Sequence, residues 1–179
     1  PLGKWVAVPV PEPEPVVRLK ERFVELPLRE QPPVAEAEAR VAEAQQRLDD
    51  LKAAGAPAAE IEAATFVVKR ANMALRRARV YGGKTSFPVV VQALQIGPAV
   101  FVGTEGEPFA EIGLAIKERS PFPWTWFGGY TFGWAGYIPT ADAFPQRGYE
   151  VDTSPFAPEA AQTLVDGTVE LLKELAAES

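Results

Sequence analysis

Glu107 is the residue whose neighbours in the sequence most clearly indicate a chemical role. Glu107 follows the β-branched run Ala99–Gly103, with Gly106 before it and Pro108 after it. Residues at the carboxyl end of a buried strand face the crevice in which layered α/β proteins bind ligands, so Glu107 could hold a metal ion or act as a base. The alternative is structural. Because proline favours the first turn of a helix, Glu107 would cap a helix over about 108–118.

Aromatic and small residues alternate along 125–138, TWFGGYTFGWAGYI. This pattern predicts a strand that is bent at its glycines. In the functional interpretation the strand is a pocket wall that presents Tyr137, whose phenol can bind a hard metal or donate to an oxyanion. In the alternative, the aromatic side chains fill the core. The candidates for a substrate pocket on this wall are Trp126, Tyr130, Phe132 and Trp134.

A glycine-containing loop at 146–150, QRGYE, supplies two further candidates. Arg147 could bind an anion and Tyr149 could donate a proton, although the loop alone is a weak signal. Ser120 and Ser154 each precede a proline, and they are interpreted as turn or cap residues. The sequence gives no support for a serine nucleophile.

Two residue types are missing from the 179-residue chain: it has no cysteine and no histidine. Disulfides, thiolate ligands and a complete Ser-His-Asp triad are therefore excluded, and so is a zinc site with histidine ligands from this chain alone. The net charge of −6 disfavours binding to nucleic-acid phosphates. The sequence contains no run of about 18 apolar residues, so no transmembrane helix is predicted, and it shows no signal-peptide pattern.

Seven-residue repeats over 34–80 predict two helices. Val34, Val41 and Leu48 recur at this interval in the first, as do Ile61, Val68 and Leu75 in the second, and alanines follow both series. Gly55-Ala56-Pro57 separates them, which indicates an antiparallel helical hairpin. It is either a docking arm or lid, or an insertion that packs only on itself.

The remaining elements are predicted from local pattern. Trp5–Val8 is strand-like, 8–16 is an extended proline-rich connector, and Phe23–Leu28 is a strand that ends at Pro27. Strands over 88–96 and 99–103 form a hairpin around Gly97-Pro98. A helical turn is expected near Ala141–Phe144. The terminal helix follows Pro158, with its inward residues at Leu164, Val165, Thr168, Leu171, Leu172 and Leu175.

Four segments taken together resemble the C-terminal part of the catalytic domain of the neutral (non-lysosomal) ceramidases. They are 92–97 (QALQIG), 102–109 (VGTEGEPF), 129–140 (GYTFGWAGYIPT) and 148–151 (GYEV). The resemblance covers roughly residues 85–179 and extends weakly to the strand at 23–28. It is closer to uncharacterised bacterial relatives than to enzymes of proven ceramide specificity.

The resemblance implies a zinc-dependent amidase that hydrolyses the N-acyl bond of ceramide, secreted or periplasmic. In this family two histidines from the earlier part of the domain hold the zinc, together with a glutamate and a tyrosine that correspond by motif to Glu107 and Tyr137. A second tyrosine of the family resembles Tyr149, which would stabilise the oxyanion. The metal would polarise the amide carbonyl and lower the pKa of bound water.

The chain departs from the family at three points. Phe132 stands where the family usually has asparagine, the hairpin at 34–80 is not a feature of the well-known ceramidases, and the histidine ligands are absent. We therefore expect the chain to be inactive alone. Its partner would be the N-terminal part of the same domain, as a second chain or as upstream sequence, and its substrate an N-acyl, ceramide-like lipid.

The sequence predicts an α+β fold, with a mixed sheet packed by helices and an inserted antiparallel helical hairpin. In this division 1–33 is an extended segment and a strand, 34–81 is the hairpin, and 82–179 is the C-terminal half of a ceramidase-like domain. Two other functions stay open. One is a non-catalytic binding or assembly protein that acts through the hairpin, also between copies of the chain. The other is a carbohydrate-binding module that uses Trp124, Trp126 and Trp134.

Overall fold

A computed structural model of the chain describes residues 16–178, which separate into two units. The first unit comprises 16–24, 89–135 and 162–178, and the second comprises 25–88 and 136–161. The strand predicted at Trp5–Val8 lies outside the described residues, as does all but the last residue of the connector predicted at 8–16. No helix in the described part of the chain is long and apolar enough to cross a membrane.

Six strands and five α-helices are found in residues 16–178. The strands are β1 (Val17–Pro27), β2 (Ser86–Ile96), β3 (Ala99–Thr104), β4 (Glu107–Pro108), β5 (Trp124–Gly128) and β6 (Tyr137–Ile138). The helices are α1 (Val34–Ala53), α2 (Ala58–Tyr81), α3 (Ala110–Arg119), α4 (Tyr149–Thr153) and α5 (Ala160–Ala177), with a short 3-10 helix at Ala141–Ala143.

Four strands form a mixed sheet in the order β1-β2-β3-β5. β2 and β3 are antiparallel and place Leu94 opposite Phe101, whereas β3 and β5 are parallel and place Phe101 opposite Trp126. A mixed sheet packed by helices confirms the predicted α+β class. The predicted hairpin around Gly97-Pro98 is confirmed by β2 and β3.

One face of the sheet is covered by α5 and α3. A Cβ on Gly167 of α5 would lie 2.8 Å from Cγ2 of Val24, so the helix can approach β1 closely only because this residue is glycine. α5 is the predicted terminal helix, and its six predicted inward residues are all buried. Gly113 of α3 lies similarly close to the ring of Phe127.

The opposite side of the sheet, here named the open face, carries exposed apolar side chains. Glu21 accepts a hydrogen bond from Gln92 (2.7 Å), which places Leu19 across from Leu94 and continues the row to Phe101 and Trp126. Large apolar side chains on this face that are exposed in the described part of the chain are Val17, Leu19, Phe23, Ile96, Phe101, Trp124 and Trp126.

The second unit contains the helical hairpin. Ala37, Leu75 and Ala78 form a buried cluster with Val41 packed against it, and Arg79 pairs with Glu38 at 2.8 Å. Contacts between the beginning of α1 and the end of α2 confirm the predicted antiparallel arrangement. That the hairpin is an insertion into a domain formed by the rest of the chain stays a prediction.

Three predicted boundaries are wrong. β1 begins at Val17, six residues before the prediction, because its charged residues pair with α5 and are not solvated loop residues. The strand predicted over 125–138 ends at Gly128 and resumes only at Tyr137. The helix expected from position 108 begins at Ala110.

Candidate functional site

Glu107 lies in the first unit, in the two-residue strand β4, where it is half-buried. The phenol of Tyr130 donates a hydrogen bond to its carboxylate. The expectation that Glu107 caps the following helix is wrong, since Phe109 occupies the N-cap position of α3 and no side chain caps it. The carboxylate is therefore not engaged at the helix end, which leaves it available for other chemistry.

A tight backbone network brings the aromatic-glycine segment next to Glu107. Gly106 has a φ of 76°, in the left-handed region that favours glycine, and its carbonyl accepts a hydrogen bond from the Tyr130 amide at 2.8 Å. The Thr131 amide donates to the Thr104 carbonyl at 3.1 Å, and the Gly106 amide donates to the Gly133 carbonyl at 3.1 Å. The segment after β5 thus folds back onto the end of β3.

The four pocket candidates of this segment are exposed in the described part of the chain, so the alternative in which they fill the core is wrong. Tyr130 stacks on Trp134 with ring centroids 5.4 Å apart, beside Glu107. Trp126 stacks instead on Phe101, at 4.9 Å, on the open face. Phe132 is 40% exposed. A substrate pocket formed by these residues stays a prediction.

Tyr137 and Tyr149 come together in the second unit. Their rings pack edge-on, with centroids 6.0 Å apart and planes at 76°. Tyr137 is half-buried in β6, whereas Tyr149 is 53% exposed at the first position of α4. The end of the predicted loop at 146–150 thus belongs to a short helix, which presents the second tyrosine beside the first.

Buried polar contacts fix the backbone around Tyr137. The hydroxyl of Ser154, which follows α4, donates to the Tyr137 carbonyl at 2.8 Å and accepts from the Phe156 amide at 3.1 Å. Ser154 is fully buried, so this hydroxyl bridges β6 and the chain after α4 away from solvent. The prediction that Ser120 and Ser154 act as turn or cap residues is confirmed, since both occupy C-cap positions.

This chain has no histidine or cysteine that could contribute a nitrogen or sulfur ligand to a zinc ion. Residues 16–178 contain no group of three or more His, Cys, Asp or Glu side chains that could bind a metal ion. Glu107 and Tyr137 contribute one oxygen donor each, and protein zinc sites usually take four ligands, mostly nitrogen or sulfur. That Glu107 and Tyr137 are zinc ligands, with nitrogen donors from outside this chain, stays a prediction.

Three arginines of the second unit were not singled out by the sequence analysis. Arg29, Arg70 and Arg77 line one cavity with Arg147, which was a candidate. The signal that could have found two of them is their spacing, because residues seven apart lie on the same face of a helix such as α2. Arg29 lies between β1 and α1, and no local sequence pattern marks it as part of a site.

Comparisons with known proteins agree with the fold. No family model and no curated protein matches the sequence. The crystal structure of neutral ceramidase from Pseudomonas aeruginosa is similar, with 16% sequence identity and a TM-score of 0.52, over 91% of this chain and 29% of that chain. A ceramidase complexed with C2 matches at 19% identity with a TM-score of 0.44, over 52% of this chain and 15% of that chain. The chain therefore has the fold of part of a neutral ceramidase and spans less than a third of the length of these proteins.

Proposed function

We propose that this chain is part of a ceramidase-like hydrolase domain that cleaves an N-acyl amide bond in a ceramide-like lipid. The observation that carries the proposal is the fold shared with the Pseudomonas neutral ceramidase over 91% of this chain. In the proposal, Glu107, Tyr137 and Tyr149 take the roles that the ceramidase motifs imply for them. The rest of the domain then supplies the histidine ligands that this chain lacks.

Glu107 and Tyr137 are proposed as zinc ligands of the completed domain. A carboxylate and a phenolate are hard oxygen donors, which suit zinc when nitrogen donors complete the set. Histidines are absent from this chain and would come from the N-terminal part of the domain. Tyr130, whose phenol donates to the Glu107 carboxylate, would orient that ligand as an outer hydrogen-bonding partner.

Tyr149 is proposed as the catalytic tyrosine. Its phenol is more exposed than that of Tyr137, and its ring is held against the Tyr137 ring. Hydrolysis of an amide places negative charge on the carbonyl oxygen, and a fixed phenol can donate a hydrogen bond to that oxygen as the charge develops.

The open face supports the proposal that the chain belongs to a larger domain. A contiguous apolar surface across four strands is costly to expose, since burying one large side chain contributes about 1.5–3 kcal/mol. The chain covers 29% of the matched ceramidase, so most of such a domain lies outside it. We propose that the N-terminal part of the domain packs on the open face.

Metal analysis tests the zinc proposal. The sequence encoded upstream of Pro1 is first read for histidines with metal-ligand spacing, and this segment is then produced together with the chain. The complex should contain about one zinc ion, since protein ligands and a water commonly hold a single catalytic zinc, and should hydrolyse an N-acyl lipid. Glu107→Gln should lower the zinc content, whereas Glu111→Gln, an exposed glutamate of α3, should not. A complex without zinc and without hydrolysis would refute the proposal.

Binding of the partner segment tests the open face separately. Phe101→Asp should abolish complex formation, because it places a charge at the centre of the apolar row. Leu114→Asp is the matched control, since Leu114 is 63% exposed on α3, the helix that covers the other side of the sheet. Equal binding by both variants would show that the partner packs elsewhere.

A non-catalytic assembly protein is the second candidate. Phe66 and Val67 of α2 are 56% and 54% exposed, so the hairpin offers adjacent apolar side chains for contact with another copy of the chain. Sedimentation should then show concentration-dependent association that Phe66→Ser removes. Absence of zinc and of amide hydrolysis, together with this association, would favour the second candidate.

A further inference from the structure

A cavity of about 520 Å³ in the second unit is lined by four arginines and a single acidic residue. The arginines are Arg29, Arg70, Arg77 and Arg147, and the acidic residue is Asp152. They come from the segment before α1, from α2, and from the loop and helix at 147–153. Like charges brought together from three parts of a chain repel each other unless an anion compensates them.

Asp152 compensates only part of this charge. Its two carboxylate oxygens accept from Arg147 Nε at 2.8 Å and from Arg70 Nη2 at 3.2 Å. A carboxylate carries one negative charge, so three positive charges have no acidic counterpart among the residues that line the cavity.

The other two arginines are partly buried and incompletely paired. Arg29 Nη2 donates to the Ser154 carbonyl at 2.6 Å, and Arg77 Nη1 reaches the Thr153 carbonyl at 3.4 Å. Arg77 Nε is buried and has no hydrogen-bond partner within residues 16–178. Burial lowers the pKa of both guanidinium groups, and the charge of Arg29 lowers the pKa of Arg77 further. A bound anion would act in the opposite direction, because it favours the charged form of both groups.

A purely structural role accounts for some of these contacts. Arg29 and Arg77 satisfy carbonyls at the carboxyl end of α4, where cations are favourable. This role does not explain the buried Nε of Arg77. Arg70 and Arg147 converge on Asp152 from different segments, and they share this one carboxylate between two positive charges.

We propose that this cavity binds a phosphate group, either as free inorganic phosphate or at the end of a small monoester. Guanidinium groups pair with phosphate oxygens in two-pronged geometry, and a phosphate dianion offers more charge and more acceptor oxygens than a carboxylate. The cavity has the size of a small-molecule site. Apolar wall residues, Met73 and Phe144, would contact the organic part of a monoester. None of these observations rests on the hydrolase chemistry proposed above.

Calorimetric titration at constant ionic strength tests the proposal, with inorganic phosphate and phenyl phosphate as the two probes. At least one probe should bind saturably with one site per chain. Arg70→Gln and Arg77→Gln should each weaken binding about tenfold or more, because each removes a charge-assisted contact. Arg76→Gln is the matched control, since Arg76 is an exposed neighbour on α2 that does not line the cavity.

The results test whether the cavity binds phosphate, and they distinguish free phosphate from a monoester. Tighter binding of phenyl phosphate assigns the site to monoesters, and equal or weaker binding assigns it to free phosphate. If circular dichroism shows that Arg77→Gln is unfolded, Arg147→Gln replaces it, because the Arg147 side chain is 75% exposed. The proposal is overturned if neither probe binds at millimolar concentration, or if Arg76→Gln weakens binding as much as the cavity variants do.

Discussion

The ring of Tyr149 packs edge-on against the ring of Tyr137, at 6.0 Å between centroids. The half-buried ring is tied through its own backbone carbonyl to the buried Ser154, and the exposed ring begins a short helix. This arrangement gives the pair one fixed member and one member that faces solvent. In the proposed hydrolase, the first would bind the metal and the second would contact the substrate.

The two tyrosine roles can be separated by Tyr149→Phe. In the completed domain this variant should keep its zinc while its rate of amide hydrolysis falls about 10²–10³-fold, because a donor to the oxyanion is lost. Zinc content and kcat are measured on the same preparation. Tyr81→Phe, a tyrosine at the end of α2, should change neither quantity. Loss of zinc in Tyr149→Phe would contradict the assigned roles.

Close approach of α5 to the sheet depends on Gly167. Gly167→Ala should lower the free energy of unfolding by about 1–3 kcal/mol, because the new methyl would meet Val24 at 2.8 Å. Urea denaturation measures the change. For comparison, Gly128→Ala at the end of β5 meets no atom within 4 Å and should cost much less. Equal stability of the two variants would mean that α5 shifts freely on the sheet.

Leu75 is the largest side chain of the buried cluster inside the hairpin. Leu75→Ala should destabilise the protein by about 2–5 kcal/mol, because it leaves a cavity between Ala37 and Val41. The same substitution at Leu114, which is 63% exposed, should cost far less. Thermal unfolding compares the two. If Leu75→Ala were as mild as Leu114→Ala, the hairpin would not be held by this cluster.

Asp166 should cause part of the decrease in the free energy of unfolding at low pH. Hydrogen bonds from Arg119 at 2.7 Å and from Gln162 at 2.9 Å lower the pKa of its carboxyl below the ordinary value of 3.8. Its stabilising contribution is therefore present above about pH 4 and is lost as the pH falls through the lowered pKa. Because the pair is exposed, this contribution should stay below about 1 kcal/mol.

The measurement for Asp166 is the free energy of unfolding as a function of pH. Asp166→Asn should flatten the decline below about pH 4, and Arg119→Gln should do the same because it removes the main cause of the shift. Asp142→Asn, at an exposed position in the 3-10 helix, should leave the decline unchanged. An unaltered profile in Asp166→Asn would exclude this residue as a source of acid sensitivity.

Local sequence patterns were sufficient to predict the helical hairpin and α5. In both, apolar residues recur at helical spacing and some of them become buried, such as Leu48 and Leu75, whereas Val34 of the hairpin is exposed. β1 differs, because Lys20 and Arg22 lie on its covered face and are compensated by glutamates about 150 residues later. No local pattern could indicate those partners.

The sequence was sufficient to name individual candidate residues, but it did not predict how they are arranged. Glu107 and Tyr137 are marked by their neighbours in sequence, whereas the link from Tyr130 to Glu107 depends on a turn that the alternating pattern hides. Tyr130 itself adopts a φ of 59°, a left-handed conformation unusual for tyrosine, and this breaks the predicted strand. The arginine cavity was missed for a similar reason, since its members come from separate segments.

The ion pairs that join β1 to α5 connect residues far apart in the chain, such as Arg22 and Glu170, which are 148 positions apart. During synthesis, all residues between β1 and α5 must therefore leave the ribosome before β1 can gain the helix that covers it. The helical hairpin, whose contacts are close in sequence, can form much earlier during synthesis. Removal of α5 would thus leave Lys20 and Arg22 of β1 without their acidic partners on that helix.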